Sequence, residues 1–286
     1  MENSHIKNIS GLLLATFFIS TSGVLGKYIA LPTEVIIWFR ASLAMVFLYF
    51  FCRYKKIDLQ IKSSKEYLPF FISGIFMAAH WITYFYALKL SNVAIGVLSL
   101  YTFPIITALL EPLFLKVKFD PMYIFLGLMV LLGLYILVPE LSLESDQVKG
   151  ILFGIFSALC YAIRILILKQ HVANYNGTML MFYQTVLITI LLVPVLFFMD
   201  LSGLQSQIPY LILLALLTTA IGHSLMLHSL KFFSATTTTI ISSLQPIFGI
   251  ILAFFFLNEI PTINTFFGGG LILLTVVIES IRTKKY

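Results

Sequence analysis

Long apolar runs separated by short polar connections fill almost the whole chain. A helix that crosses a membrane needs about 20 mostly apolar residues, and ten runs approach that length. The runs do not alternate apolar with polar residues, so they predict helices rather than a β-barrel. We number them as spans 1 to 10, at residues 9–28, 34–52, 67–88, 93–115, 122–139, 149–170, 178–199, 208–229, 235–257 and 262–281.

The pattern repeats after 142 residues. Residues 88–105 (LKLSNVAIGVLSLYTFPI) and residues 230–247 (LKFFSATTTTIISSLQPI) both open with Leu-Lys and close on Pro-Ile. An internal repeat of this length predicts two copies of one unit. The predicted copies are residues 1–139 and 149–286, joined by an acidic linker at 140–148. Five spans per copy is an odd number, so the second copy must be inserted upside down, as in many secondary transporters. We therefore expect an all-α membrane protein with ten transmembrane helices in two inverted five-helix repeats.

Composition strengthens the membrane interpretation. The 286 residues are 60% hydrophobic and 10% charged, whereas a soluble domain is about 45–50% apolar and about 25% charged. No room remains for a large soluble domain. The two cysteines, Cys52 and Cys160, lie in different spans and predict no disulfide framework.

The net charge of +6 comes from basic residues in loops and at span ends, which predicts a topology signal rather than nucleic-acid binding. With both termini in the cytoplasm, the outer side would hold only Lys27, Lys89 and Lys149. Arg40 and Arg164 lie inside spans. The cytoplasmic side would hold Lys7, Arg53, Lys55, Lys56, Lys62, Lys65, Lys116, Lys118, Lys169, Lys231, Arg282, Lys284 and Lys285. This bias predicts a multi-pass protein of the cell membrane, which is the inner membrane if the source is bacterial.

Several motifs together resemble the EamA-type ten-helix members of the drug/metabolite transporter superfamily. They are YTFP at 101–104, LQP at 244–246, FLNE at 256–259, GGG at 268–270, Arg40, and HWITY at 80–84. The first copy departs from the pattern, since Val117 stands at the position of Glu259 and Glu111 comes six residues earlier. The resemblance implies a carrier that moves small metabolites, often amino acids, usually outward. It also implies a central cavity lined by spans 3, 4, 8 and 9, with help from spans 1 and 6.

Catalytic signatures are missing from the sequence. The histidines do not form the His-Glu-x-x-His pattern of a zinc hydrolase, and Gly26-Lys27 lacks both the upstream glycine and the following Ser or Thr of a phosphate-binding loop. We therefore expect no enzyme activity, no metal and no cofactor. The expected partners are a small-molecule substrate and the lipid bilayer.

Four ionisable residues lie deep in the spans: Arg40, His80, Arg164 and His223. Such residues are costly in a membrane and are functional candidates by default. Each has a structural alternative. Arg40 could hold backbone carbonyls where helices pack, Arg164 could extend toward the cytoplasm, and a neighbouring hydroxyl could satisfy His223.

The predicted substrate cavity is built around His80 and Tyr84, which lie one helical turn apart on the same face. Trp81 is expected to point elsewhere. Pro104 and Pro246 break spans 4 and 9 and serve as gating positions, because proline frees a backbone carbonyl. The complete predicted set is His80, Tyr84, Tyr101, Tyr161, Arg164, His223 and Ser243. The alternative is a stripe of packed aromatic side chains.

Two further features favour structural roles. Glu111 lies near the cytoplasmic interface, where pairing with Lys116 or capping is expected rather than proton transport. Both Glu111 and Arg40 are assigned either a structural role or a role in coupling. The glycines at 268–270 predict close helix contact, which includes a possible homodimer.

The resulting hypothesis is a secondary transporter that exports a small organic metabolite, such as an amino acid, by alternating access. The deep charges are positive, so the substrate is expected to carry a carboxylate, with Arg164 as its anchor. A multidrug or cation extruder is the alternative, although residues 9–28 lack the carboxylate that such carriers use. The alternative from a different functional class is a channel or a membrane enzyme.

Overall fold

The computed structural model describes residues 2–115, 118–137, 142, 144–233, 238 and 241–283, and every regular element among them is a helix. Spans 1 to 3 are Glu2–Tyr28, Thr33–Tyr54 and Tyr67–Leu90, with a 3₁₀ turn at Ser64–Glu66. The other seven spans are Val93–Leu100 with Phe103–Phe114, Met122–Leu137, Asp146–Lys169, Gly177–Leu191 with Val195–Phe198, Leu204–Leu213 continuing through Leu214–His223 to Ser224–Ser229, Leu244–Leu257, and Ile263–Thr283.

Seven of these helical spans are long and apolar enough to cross a membrane, and three are shorter apolar helices. The shorter ones are Met122–Leu137, Leu244–Leu257 and Ile263–Ile278. Much of the first half of predicted span 9 lies outside the described residues. The expected all-α fold of ten membrane helices in two inverted repeats is confirmed.

Spans 4 and 9 break at positions related by the repeat. Tyr101 and Thr102 form a turn before Phe103–Phe114, and Ser243 forms a turn before Leu244–Leu257. A proline follows within the first turn of each new helix, where its missing N–H costs least. Proline also releases the carbonyl four residues earlier. For Pro246 that residue is Ser242, and the Tyr101 hydroxyl donates a hydrogen bond to the Ser242 carbonyl oxygen. The break in span 4 is thereby bonded to the break in span 9.

A repeat-related pair of lysines caps spans 3 and 8. The Lys27 Nζ donates to carbonyl oxygens at the end of span 3, namely those of Leu88 (2.9 Å), Lys89 (3.3 Å) and Ser91 (2.5 Å). The Lys169 Nζ donates to those of Leu230 (2.7 Å) and Phe233 (2.8 Å) at the end of span 8. Helix C-termini leave carbonyls unsatisfied, and a cation suits them. Lys27 and Lys169 are separated by the repeat offset, as are Leu88 and Leu230.

The two glutamates lie at matching places although they do not align in sequence. Glu259 Oε2 accepts a hydrogen bond of 2.8 Å from the Val93 N–H and attracts Lys27 electrostatically. Glu111 attracts Lys169 in the same way. Each capping lysine therefore has an acidic neighbour: Glu259, just after span 9, for Lys27, and Glu111, in span 4, for Lys169. The expected partner Lys116 lies outside the described residues.

Glycines allow close packing between spans. A Cβ on Gly268 would lie 2.6 Å from the Gly133 carbonyl oxygen, so spans 5 and 10 touch backbone to backbone. Gly269 packs against Leu98, whereas nothing lies within 4 Å of a Cβ at Gly270. The glycine-rich stretch that suggested a homodimer is thus largely used within one chain.

Candidate functional site

A small chamber lies where the two copies meet. It measures about 20 Å³, which is room for about one water molecule. Spans 1, 2, 3, 4, 6, 8 and 9 all contribute, so span 2 joins the six spans that the family resemblance implies. The lining residues are Ile19, Ser22, Arg40, His80, Trp81, Tyr84, Leu100, Phe103, Tyr161, His223 and Gln245.

Arg40 enters this chamber from span 2 and is only 1% exposed. Its Nε donates to Thr219 Oγ1 (2.7 Å) and its Nη1 to Ser22 Oγ (3.3 Å). The guanidinium lies 3.9 Å from the centre of the Trp81 ring, a cation–π contact. Its Nη2 has no partner. Arg40 therefore bonds hydroxyl groups of spans 1 and 8 rather than the backbone carbonyls that the structural alternative required.

Trp81 lies in the chamber, against the expectation that it would point elsewhere. It is 1% exposed and its Nε1 has no hydrogen-bond partner. Adjacent residues on a helix are separated by about 100°, and His80 and Tyr84 by about 40°. The chamber wall formed by span 3 is wide enough to include all three side chains.

His80 is held in one orientation by span 6. Its Nδ1 lies 2.7 Å from Ser157 Oγ, and the Ser157 hydroxyl donates to the His80 carbonyl oxygen at 2.9 Å. Since a serine has one hydroxyl proton, His80 Nδ1 must be the donor in the other bond. In the neutral form of the ring, Nε2 is then an acceptor. The His80 ring stacks on Tyr84 (6.1 Å) and packs against Tyr161 (4.5 Å), as the spacing of His80 and Tyr84 predicts.

Arg164 lies behind the chamber wall and is not among the lining residues. It is fully buried, with its guanidinium 5.4 Å from the Tyr161 ring centre. Gln184 Oε1 accepts hydrogen bonds from Arg164 Nε (3.0 Å) and Nη2 (2.8 Å), and Gln184 Nε2 donates to Ser73 Oγ (3.0 Å). The side chain reaches span 7 rather than the membrane surface, so it does not extend toward Lys169.

The remaining predicted site residues divide into two groups. His223 lines the chamber, with its ring 5.8 Å from Trp81, and its Nδ1 has no partner. Tyr101 is buried with its hydroxyl turned to span 9, 2.7 Å from Gln245 Oε1. Ser243 lies at the break of span 9, and Gln245 is the residue by which that span lines the chamber. The structure thus brings His80, Tyr84, Tyr161 and His223 together in the lining, which does not include Tyr101, Arg164 or Ser243.

Unpartnered polar atoms are concentrated in this region. Among the described residues, seven buried side-chain polar atoms have no hydrogen-bond partner, and five belong to the chamber or to Arg164 behind it. Such atoms are rare because they lose solvation without compensation. The five are Arg40 Nη2, Trp81 Nε1, Tyr84 Oη, Arg164 Nη1 and His223 Nδ1. These atoms leave unused hydrogen-bonding capacity at and behind the chamber wall.

Sequence reasoning missed Ser22, Gln184, Thr219 and Gln245. A polar residue inside an apolar run was the available signal for Gln184, and direct adjacency to Pro246 was the signal for Gln245. Ser22 and Thr219 carry no distinguishing pattern, because small hydroxyl residues occur throughout these spans. Across the described part of the chain, no group of three or more His, Cys, Asp or Glu could hold a metal ion.

Comparisons with known proteins agree with this architecture. The pseudopaline exporter CntI of Pseudomonas aeruginosa is 25% identical over 283 residues, covering 96% of this chain and 97% of the exporter. The S-adenosylmethionine uptake transporter of Rickettsia conorii is 24% identical and covers 99% and 95% of the two chains. A solved crystal structure has a TM-score of 0.70 over 99% of this chain and 98% of its own, at 14% identity, which shows a shared fold.

The family comparison is more specific. The EamA-like transporter family matches residues 6–138 and again residues 148–281. The two matches start 142 residues apart, which is the offset of the repeat. Such a match covers most of both copies. The chain therefore belongs to the EamA-like transporter family and is a multi-pass membrane transporter.

Proposed function

We propose that this protein is a secondary transporter that exports a small organic metabolite, such as an amino acid, by alternating access. The observation that carries the proposal is the chamber between the two copies, with its cluster of unpartnered buried polar atoms. The name of the Pseudomonas relative supports export, whereas that of the Rickettsia relative indicates uptake, so the direction of transport rests on the family resemblance and one relative.

Rocking of the two copies would admit the substrate. A chamber of about 20 Å³ is far smaller than a metabolite, so binding requires the walls to separate. The breaks before Pro104 and Pro246 supply points at which spans 4 and 9 can bend. The lysine caps at Lys27 and Lys169 give the two ends of the molecule equivalent contacts to open and close. This symmetry supports an inward-open and an outward-open state of similar energy.

The proposed substrate contacts are His80, Tyr84, Tyr161 and His223, which line the chamber. Tyr101, Arg164 and Ser243, which are outside the lining, would act through the residues that line the chamber. None of the described residues that line the chamber is acidic. This weighs against a multidrug or cation extruder, since such a carrier needs a negative group to hold its substrate.

The test is transport by the purified protein in liposomes, with labelled amino acids and organic acids, with and without a pH gradient. We expect saturable uptake for at least one substrate and loss of most of that flux in Tyr161→Ala. Tyr135→Ala is the matched control, because Tyr135 is 59% exposed in span 5, away from the chamber. Conductance that does not saturate would indicate a channel, and equal losses in both variants would contradict the proposed site.

A further inference from the structure

We propose that Arg40 is the anchor for a carboxylate on the transported molecule and that the chamber selects anions over cations. This inference rests on the proposed function, because it takes the chamber to be the substrate site. It assigns the anchoring role to a residue of span 2. The family comparison assigns that role to no residue, and the sequence alone pointed to Arg164 in span 6.

The first argument is charge. Arg40 is buried, and the groups that bond it, Thr219 and Ser22, are neutral hydroxyls. Among the described residues, neither Arg40 nor Arg164 makes an ion pair with an acidic side chain. A buried cation without a counter-ion is costly, and more so within a membrane. A substrate carboxylate would supply the missing negative charge.

The second argument is the hydrogen-bonding character of the free atoms. Arg40 Nη2 and Trp81 Nε1 are both donors with no acceptor capacity, and neither has a partner. The ligand atoms that meet them must therefore be acceptors. Tyr84 Oη, also unpartnered, can supply a third donor. A carboxylate offers two acceptor oxygens and gains charge-assisted bonds from arginine.

The third argument separates the two arginines. Gln184 Oε1 already accepts two hydrogen bonds from Arg164, and Arg164 does not line the chamber. Arg40 lines the chamber and stacks on Trp81, which orients its planar guanidinium. Arg164 is thus a positioning residue beneath Tyr161, and its positive charge adds to the repulsion of cations.

The chain offers a direct reporter of binding. It contains two tryptophans, Trp38 and Trp81. Trp38 donates its indole N–H to the Thr189 carbonyl oxygen (3.1 Å) and does not line the chamber. Trp38→Phe therefore leaves Trp81, beneath Arg40, as the sole fluorescent indole.

Purified Trp38→Phe protein would be titrated with 3-phenylpropanoate, 3-phenylpropanamide and 3-phenylpropylamine. These probes share an aromatic body suited to the rings of Tyr84, Phe103 and Tyr161, and they differ in the charge of one end. We expect a saturable change in Trp81 emission with the carboxylate, at least about tenfold weaker binding of the amide, and no response to the amine.

Variants in the same background assign the effect to Arg40. Arg40→Gln should weaken carboxylate binding at least about tenfold, and Arg40→Lys should weaken it less, because lysine keeps the charge but loses the planar fork. Arg164→Gln should keep the preference for the carboxylate. Arg53→Gln is an exposed control that should change nothing. Thermal melting verifies folding, and Arg40→Lys provides the decision if Arg40→Gln does not fold.

Equal binding of the amide or the amine, no response to the carboxylate, or unchanged affinity in both Arg40 variants would overturn the proposal. Failure of this proposal can be distinguished from failure of the proposed function. Saturable flux of amines would leave the transporter function intact and reject the anion anchor. Carboxylate binding without saturable flux would do the reverse.

Discussion

At the scale of single residues, the unpartnered atoms of the chamber contrast with other buried polar groups of the spans. The hydroxyls of Thr16, Ser73 and Thr107 each donate to a carbonyl three or four residues earlier in their own helix. This local bond satisfies a hydroxyl anywhere in a membrane helix. Arginine, indole and imidazole groups cannot use it, so their partners must come from another span or from a ligand.

Gln184 is the residue on which Arg164 depends, and its removal should destabilise the protein. Gln184→Leu would leave the buried guanidinium without the acceptor of two hydrogen bonds. Bonds to charged groups contribute about 1.5–3 kcal/mol each, so we expect a clear fall in melting temperature in detergent. Gln205→Leu, at an exposed position of span 8, is the control and should melt like the parent. Equal melting of both variants would mean that Arg164 finds another acceptor.

At the scale of elements, span 8 differs from its repeat mate in span 3. Leu214–His223 is π-helical, whereas residues 72–81 at the same offset belong to the α-helix Tyr67–Leu90. π-helical segments are rare and often lie at functional sites. Here the segment supplies both Thr219, which bonds Arg40, and His223, which lines the chamber. The two parts of the chamber wall formed by spans 3 and 8 therefore differ in helix type.

The lysine caps are the element-scale contacts most open to test. Lys27→Met and Lys169→Met each remove hydrogen bonds from a cation to carbonyl oxygens at the end of span 3 or span 8. Each should therefore lower the free energy of unfolding by at least about 2 kcal/mol. Lys149→Met is the matched control. Lys149 makes one exposed ion pair with Asp146 at 3.4 Å, and such pairs contribute about 0–1 kcal/mol. Thermal melting in detergent measures all three, and a control-like result for both caps would show them to be dispensable.

At the scale of the whole molecule, a cluster of loop contacts joins the two copies at one end. The Tyr175 hydroxyl donates to Glu66 Oε2 and accepts a hydrogen bond of 2.8 Å from the Lys62 N–H. Burial and the neighbouring Glu66 carboxylate raise the pKa of Tyr175, so this phenol stays protonated. His171 Nδ1 lies 3.7 Å from Glu66 Oε1. These contacts connect the loop before span 3 to the loop after span 6.

Orientation in the membrane is a prediction of the whole chain. The distribution of Lys and Arg predicts that Ser63 faces the cytoplasm and Ser145 faces outward. Single cysteines at these positions, in a background without the buried Cys52 and Cys160, can be treated in intact cells with an impermeant maleimide. We expect labelling at position 145 and none at position 63. The reverse pattern would contradict the predicted orientation.

The sequence alone determined the helical spans, the repeat and the helix breaks before Pro104 and Pro246. Each depends on local chemistry, namely the length of an apolar run or the missing N–H of Pro104 and Pro246. Tertiary structure decided which partner each buried polar group has. Trp81 lies under Arg40, and Gln184 accepts hydrogen bonds from Arg164. Glu111 attracts Lys169 electrostatically, although it does not align with Glu259 in the repeat. These pairings join different spans, and they depend on the rotation and separation of packed helices, which a linear pattern does not contain.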